Sequence, residues 1–256
     1  ALIVPAAWLF SRRRTPAARR RGFGHLGVLP GGVYAALLYG AAASLLILQP
    51  DIGQTILLTA AWSTVFFIAG IPILLAGVLG AGSIGALIAG YFHVPHVKAR
   101  IDAFLNPGAN DTHQVDKAMD AFRNGGLFGM GPGEGQIKHQ IPDAHTDFVF
   151  AVAAEEYGIL LCLIIVALFA FLVARCLARA LGTPDRFVQL AVAGLAVLIG
   201  LQAAINMGVT IQLLPAKGMT LPLISSGGSS LLATALTCGM ILALTRGRAS
   251  PRHLGL

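Results

Sequence analysis

The chain has 256 residues, of which 56% are apolar and only 11% are charged, and its mean hydropathy is +0.76. Soluble domains carry about 25% charged residues, so this composition excludes a disordered chain and argues against an ordinary soluble domain. The net charge of +7 comes from basic residues in short segments between apolar runs. Nucleic-acid binding requires basic residues on a shared face, so we expect no nucleic-acid partner. The three cysteines form no CxxC pair, and neither a disulfide framework nor a zinc site is supported.

Apolar runs predict an all-α, polytopic bundle of membrane helices, and we treat residues 1–256 as a single transmembrane domain. Residues 1–10 are too few for a span, which needs about 20 residues, and we interpret them as the end of a helix whose beginning is absent. The Gly70-Ile71-Pro72 turn separates two later spans, because proline cannot continue a helix. Six full spans are predicted: roughly Gly31–Leu48, Gln54–Ile71, Ile73–Phe92, Phe148–Ala174, Phe187–Ile211 and Thr220–Thr245.

Basic residues predict the orientation of the bundle. They concentrate in residues 12–21, in residues 175–186 and in the tail after residue 245. Six spans place all three segments on one side, and the positive-inside rule makes that side cytoplasmic. The opposite side then receives a long loop, residues 93–147, which carries five of the seven histidines and most of the acids. A loop of this length is usually functional or disordered, and its composition favours function.

A carboxylate lies between the first two full spans, in the string Gln49-Pro50-Asp51-Ile52-Gly53-Gln54-Thr55. Pro50 ends one helix, and Asp51 is placed to cap the free amides of the next helix. In a second interpretation, Asp51 is a partly desolvated carboxylate at the membrane edge that serves as a general base. The two roles are compatible.

Two stretches of the long loop are candidates for binding. Residues 124–138 contain six glycines, whose amides could cradle a phosphate beside Lys138, although neither the Walker A nor the Rossmann pattern is present. A plain glycine-rich turn is equally consistent with this composition. Asp143, His145 and Asp147 alternate before the fourth span and could bind a divalent cation. Helix entry, with capping by Thr146 or Asp147, is the more common explanation.

Polar residues also occur inside the later spans. Glu155 and Glu156 lie about 10 Å below the start of their helix, at ~1.5 Å per residue. Acids inside a membrane helix are functional candidates, and the alternative is a structural acid paired with a cation. The candidate cations are Arg123, Lys138 and Lys217. Gln202 and Asn206 share one helix face, and Lys217 is the sole charge in the proline-containing run that follows, residues 214–230.

These strings, in this order, resemble the SEDS family of polytopic membrane proteins, and most closely the alphaproteobacterial type of its cell-division branch. The matching strings are Gln-Pro-Asp-Ile-Gly-Gln-Thr (49–55), Gly-Gly-Leu-Phe-Gly-Met-Gly (125–131), Pro-Asp-Ala-His-Thr-Asp-Phe-Val-Phe-Ala-Val (142–152), Ala-Glu-Glu-Tyr-Gly (154–158), Asn-Met-Gly (206–208) and the run from Leu214 to Ser230. Many members have Glu at the position of Asp143 and Tyr at that of Ser226. The resemblance implies a fold of about ten helices, of which this chain would be the C-terminal part.

The resemblance also implies an activity: a peptidoglycan glycosyltransferase that polymerises lipid II at the outer face of the bacterial inner membrane during septal wall synthesis. It implies a class B penicillin-binding transpeptidase and other divisome proteins as partners, and Asp51 as the catalytic residue. The resemblance fixes no cofactor: a divalent cation, Mg²⁺ or Mn²⁺, could assist the leaving group, but nothing in the sequence fixes its ligands. The substrate-binding candidates are Lys217, Lys138 and Arg123, which would neutralise the pyrophosphate, and His145, Asp147, Glu155 and Ser229.

Two other functions are compatible with the sequence. A flippase for the same lipid would use an intramembrane charge such as Glu155 along its path, and would depend on it more than on Asp51. A non-enzymatic divisome scaffold would tolerate loss of the Asp51 carboxylate. The sequence leaves open whether the protein serves division or elongation.

Overall fold

The computed structural model describes residues 2–11, 31–49, 51–70, 113–215 and 218–246, together with residues 85, 91, 92, 95, 98, 99 and 102. Within these residues the chain is helical and contains no strand. The helices are α1 (Ile3–Ser11), α2 (Gly31–Leu48), α3 (Ile52–Ile68), α4 (His113–Gly125), α5 (Val149–Leu181), α6 (Arg186–Thr210) and α7 (Gly228–Thr245). A short 3₁₀ helix, Ile137–Gln140, lies between α4 and α5.

The helices reproduce most of the predicted spans. Three of them, α5, α6 and α7, are long and apolar enough to cross a bilayer, and α2 and α3 contain shorter apolar stretches. The predicted span Ile73–Phe92 lies almost entirely outside the described residues. The all-helical membrane architecture is therefore confirmed, whereas the number of six full spans stays a prediction.

One predicted boundary is wrong, the start of the last span. The helix of the fourth span continues past Ala174 to Leu181, because the added segment is rich in alanine, leucine and arginine, which favour helix, and the predicted membrane span is a part of it. The last helix begins at Gly228 and not at Thr220. Pro222 lies within the intervening segment, whose polar groups bond to other parts of the chain instead of to a helix.

Helix α6 lies at the centre of the bundle, in contact with α1, α3, α5 and α7. Every residue from Leu190 to Ala196 is buried, as expected for a helix that is apolar on all sides. Gly194 allows α6 to lie close to α3 and α1. A Cβ atom at this position would lie 2.5 Å from Val65 Cγ2 and 2.7 Å from Ile3 Cγ2. Small residues in membrane helices allow such close packing of neighbouring backbones.

Helix α5 is broken at Gly158, whose φ of 78° and ψ of 178° lie outside the helical region. A loop, residues 126–131, which we call the inserted loop, fills this break with backbone hydrogen bonds. The amides of Met130 and Gly131 donate to the carbonyls of Glu155 and Glu156, at N···O distances of 2.9 and 3.0 Å.

The opposite edge of the break is bonded in the same way. The amides of Ile159 and Leu160 donate to the carbonyls of Gly126 and Leu127, at 2.9 and 3.4 Å. In a regular helix these amides would donate to the carbonyls of residues 155 and 156. The loop therefore takes over the hydrogen bonds that the helix gives up, and no backbone group named here is left without a partner.

We expect Gly158→Ala to destabilise the protein more than Gly133→Ala, which is a matched control. Both glycines have positive φ, so each alanine costs about 1–2 kcal/mol of backbone strain. Only at Gly158 would the Cβ atom also overlap backbone, 2.3 Å from the Leu127 carbonyl oxygen, whereas at Gly133 no atom lies within 4 Å. Overpacking adds a further about 1–3 kcal/mol. Thermal unfolding of the two purified variants measures the difference. Equal melting temperatures would show that the inserted loop does not pack against α5 at Gly158.

Candidate functional site

Polar segments meet at the end of α5 that lies farthest from its arginines. We call residues 143–148, residues 218–226 and Asn206 of α6 the junction. The Asn206 side-chain amide donates to the carbonyl of Asp147, with an N···O distance of 2.7 Å, and to the carbonyl of Met219. Asn206 is only 3% exposed, and its Oδ1 is buried with no hydrogen-bond partner among the described residues. One side chain of a central helix thus joins the two loop segments.

Serines of the second loop segment complete the junction. The Ser225 hydroxyl donates to the Thr146 carbonyl and accepts from the Leu221 amide, at 2.7 Å. The amide and hydroxyl of Ser226 both donate to the His145 carbonyl, at 3.0 and 2.8 Å. These bonds fix the backbone that precedes residue 147.

Asp147 is the titratable group that the junction holds in an unusual environment. Its side chain is partly buried, and a Cβ atom on Gly218 would lie 3.1 Å from its Oδ2. Burial raises the pKa of Asp147, and the nearby charge of Asp143 raises it further. No residue that the structure describes donates a hydrogen bond to this carboxylate or forms an ion pair with it. Its oxygens therefore have no partner in the described part of the chain.

Asp51 has the capping role predicted from the sequence. Its Oδ1 accepts the Gln54 amide of α3, at 3.0 Å, and its carbonyl accepts the Thr55 hydroxyl, at 2.8 Å. The residue is exposed on the protein surface. The partial desolvation expected of a base is not provided by the described part of the chain, and the catalytic role of Asp51 stays a prediction.

Glu155 is completely buried, and its carboxylate holds the glycine-rich loop from the inside. It accepts the backbone amides of Gln136, Ile137 and Lys138, at 2.8–2.9 Å, and the side-chain amide of Asn124, at 3.0 Å. These amides open the 3₁₀ helix, where free N–H groups attract a negative charge. The buried charge is thereby stabilised by hydrogen bonds without a cation.

Glu156 is paired with Lys138, as one of the sequence alternatives proposed. Both side chains are largely buried, at 12% and 14% exposure, and the Lys138 ammonium also donates to the Gly133 carbonyl, at 3.1 Å. The glycines make room for these contacts. A Cβ atom on Gly135 would lie 2.8 Å from Glu155 Oε2. In the described part of the chain, the glycine-rich stretch therefore surrounds two carboxylates of α5.

The remaining site candidates lie apart from these contacts. Arg123 is exposed on α4, with its guanidinium 3.6 Å from the Asp120 carboxylate, and Ser229 is exposed in the first turn of α7. The His145 side chain is exposed, although its carbonyl belongs to the junction. Lys217 lies outside the described residues. The structure thus brings Lys138 together with Glu155 and Glu156, whereas only the backbone of His145 belongs to the junction with Asp147. Among the described residues, Asp51 and Arg123 are bonded only to near neighbours in sequence.

Two expectations for the segment before α5 can be examined. Capping by Thr146 or Asp147 is wrong, because the N-cap residue is Phe148 and no side chain caps it. The Thr146 hydroxyl donates instead to the Asp143 carbonyl, at 3.1 Å. Among the described residues, no three His, Cys, Asp or Glu side chains are grouped so that they could hold a metal ion. The alternating Asp143, His145 and Asp147 do not converge into a ligand set.

The importance of Asn206 and Ser225 could not be read fully from the sequence. Two polar residues one turn apart in an apolar helix, Gln202 and Asn206, indicated a polar contact but not its partner. Gln202 donates to the Thr220 carbonyl, at 3.1 Å, so both residues bind the segment that precedes α7.

The fold and this arrangement define a multi-pass membrane protein of helices with a polar site at one end. The model of the FtsW/RodA/SpoVE family, described as cell cycle proteins, matches residues 1–250. The chain belongs to this family.

Named relatives and solved structures agree with this assignment. The chain is 49% identical to "Probable peptidoglycan glycosyltransferase FtsW" of Caulobacter vibrioides, over 97% of this chain and 61% of the relative. It is 39% identical to the protein of the same name from Coxiella burnetii, over 84% and 59%. The chain thus spans about three fifths of the length of these curated relatives.

Solved structures show the same fold. A chain of a peptidoglycan synthase complex matches with a TM-score of 0.73 and 29% identity, over 96% of this chain and 67% of that one. The rod shape determining protein RodA of Thermus thermophilus matches with a TM-score of 0.62 and 26% identity, over 97% and 64%.

We expect Glu155→Gln to lower stability, because a glutamine amide presents a donor where backbone amides already point. At least one buried N–H group then loses its acceptor, which costs about 1–3 kcal/mol. Glu134→Gln is the control, since Glu134 lies exposed in the same loop and the change removes the same charge. Melting temperatures of the purified variants test this: a drop confined to Glu155→Gln is expected, and equal values would show that Glu155 does not hold the loop.

Proposed function

We propose that the protein containing this chain is a peptidoglycan glycosyltransferase that polymerises lipid II. Membership of the FtsW/RodA/SpoVE family supports this, as do the names of the similar proteins. The observation that carries the proposal is the junction, where Asn206 binds the carbonyls of Asp147 and Met219 and so holds a partly buried carboxylate at one end of the bundle. Burial raises the pKa of Asp147, and carboxylates with a shifted pKa are common at functional sites.

The location of the junction supports a reaction at the outer face of the membrane. Arg175 and Arg179 lie near the far end of α5, and Arg186 begins α6, whereas Asn206 and Asp147 lie at the opposite ends of the same helices. Basic residues mark the cytoplasmic side, so the junction faces outward. A lipid-linked disaccharide requires an apolar region for its tail and polar groups at the interface, and the ends of α5, α6 and α7 combine both.

We assign the general base to Asp51, as the family resemblance implies, and keep Asp147 as the alternative. Asp51 is exposed at the start of α3, and its capping bond uses Oδ1, so Oδ2 has no partner among the described residues. Burial raises the pKa of Asp147, which would suit a base near the working pH. The backbone of residue 147 is held by Asn206, which limits the positions open to the carboxylate.

In this mechanism, Asp51 takes the proton from the 4-hydroxyl of the acceptor sugar. The hydroxyl oxygen then forms a bond to the anomeric carbon of the donor, with inversion. The bond between that carbon and the pyrophosphate oxygen breaks, and undecaprenyl pyrophosphate leaves. Lys217 and Arg123 are the cations that we propose to neutralise the leaving group. Lys138 contributes less, because its ammonium is bonded to Glu156.

The proposal includes a protein partner but assigns no step to a metal cofactor. A class B penicillin-binding transpeptidase at the division septum is the partner that we propose, because a similar chain belongs to a solved peptidoglycan synthase complex. The described residues offer no set of metal ligands, so we assign no step to Mg²⁺ or Mn²⁺. The flippase alternative is less well supported, since Glu155 is fully occupied by hydrogen bonds from the loop.

We expect Asp51→Asn to abolish glycan polymerisation and Asp147→Asn to preserve most of it. Loss of a general base lowers the rate by about 10²–10⁴-fold. Asparagine caps a helix about as well as aspartate, so Asp51→Asn removes only a catalytic role of that residue. The measurement uses the full-length protein with its transpeptidase partner and lipid II, and glycan strands are resolved on a gel.

The two variants must first show wild-type folding and lipid II binding. If Asp147 were the base instead, the wild-type rate would fall as the pH falls through its raised pKa, because only the deprotonated base is active. The opposite result, with polymer from Asp51→Asn and none from Asp147→Asn, would move the base to Asp147. Polymer from both variants would refute both assignments.

A further inference from the structure

The inserted loop carries large apolar side chains that the protein does not cover. Phe128 is 79% exposed, Leu127 is 61% exposed and Met130 is 50% exposed. No charged residue occurs between Arg123 and Glu134. A compact apolar patch on a loop marks a contact with lipid or protein, since soluble surfaces rarely keep such residues together.

The length of α5 places this patch relative to the bilayer. The helix has 33 residues, or about 50 Å at ~1.5 Å per residue, which exceeds a hydrocarbon core of ~30 Å. Arg175 marks the boundary at the basic end, because arginine is costly inside the hydrocarbon. A span of about 20 residues counted back from Arg175 ends near Glu155 and Glu156. The break at Gly158, and the loop bonded to it, therefore lie at the opposite edge of the hydrocarbon.

The patch continues the lipid-facing surface of α5. The Leu127 carbonyl accepts the Leu160 amide, so the loop lies directly against the exposed side of the helix. Leu160, Leu163 and Ile164 are all exposed apolar residues on the following turns of α5. Tyr157 is also exposed, at the level where aromatic residues collect in membrane proteins.

Irregular backbone at this depth is tolerated only when its polar groups are bonded within the protein. The inserted loop meets this condition at four groups, since the carbonyls of Gly126 and Leu127 and the amides of Met130 and Gly131 are paired with α5. Its other polar groups lie at the edge of the hydrocarbon, within reach of the polar headgroup region. The apolar side chains can then face hydrocarbon without exposing these groups.

We propose that Leu127, Phe128 and Met130 form a wedge that inserts into the acyl chains of the adjacent leaflet. The bilayer lipid is the partner of this surface. The wedge anchors the glycine-rich loop, and with it the segment bound by Glu155, at a fixed height in the membrane. This inference does not depend on the proposed glycosyltransferase function.

Spin labels on the full-length protein in lipid nanodiscs test the wedge. In a background without cysteine, one label is attached at a time through Phe128→Cys, Leu163→Cys or Glu134→Cys. Leu163 reports the lipid-facing side of α5. Glu134 is an exposed position of the glycine-rich stretch that lies outside both the inserted loop and the wedge. Collision rates with oxygen, which enters hydrocarbon, and with a water-soluble nickel chelate are compared for each label.

We expect the label at residue 128 to favour oxygen over nickel, as at residue 163, with the ratio reversed at residue 134. Leu127→Cys repeats the measurement at a second wedge position. Collision with nickel at both wedge positions, as at residue 134, would place the loop in water and overturn the proposal. Protection from both reagents would show that another protein segment covers the patch, and protection that appears only with the transpeptidase would identify a partner surface. Either result overturns the assignment to lipid.

Discussion

The glycine-rich part of the site depends on one constraint at Gly158. There, hydrogen bonds within α5 are replaced by hydrogen bonds between α5 and the inserted loop. By opening α5 there, the chain exposes two carbonyls and two amides inside a membrane helix, and only the inserted loop satisfies them. The same contact brings Glu155 and Glu156 against the loop, so that their carboxylates can bind its amides and Lys138. The order of the glycine-rich segment thus follows from a single irregular residue.

Three carboxylates near this end of the bundle are stabilised in different ways. Glu155 is surrounded by amide donors, and Glu156 is paired with a lysine, so both charges are satisfied within the protein. Asp147 has neither kind of partner among the described residues, and burial raises its pKa. A carboxylate already bonded by the protein has little capacity left for another partner. This contrast separates Asp147 from Glu155 and Glu156.

Features set by local sequence were predicted well, and features set by distant contacts were not. The α2 and α3 helices, and the cap by Asp51 between them, follow from apolar runs and from proline at a boundary. The break at Gly158 could not be predicted, because glycine is common within membrane helices and the segment that fills the break lies about thirty residues earlier. The late start of α7 was missed for a similar reason, since Ser225 and Ser226 bind carbonyls near residue 146. The sequence left three cations as possible partners of Glu155 and Glu156, and only the fold shows that Lys138 pairs with Glu156.

Hydrogen exchange of the full-length protein in a bilayer tests the inserted loop most directly. The amides of Met130 and Gly131 are the informative ones, because those of Ile159 and Leu160 would be protected in any membrane helix. The account predicts that all four exchange slowly and at similar rates, since one opening event breaks all their bonds. Rapid exchange at residues 130 and 131, with continued protection at residues 159 and 160, would show that α5 runs unbroken past Gly158 and would contradict it.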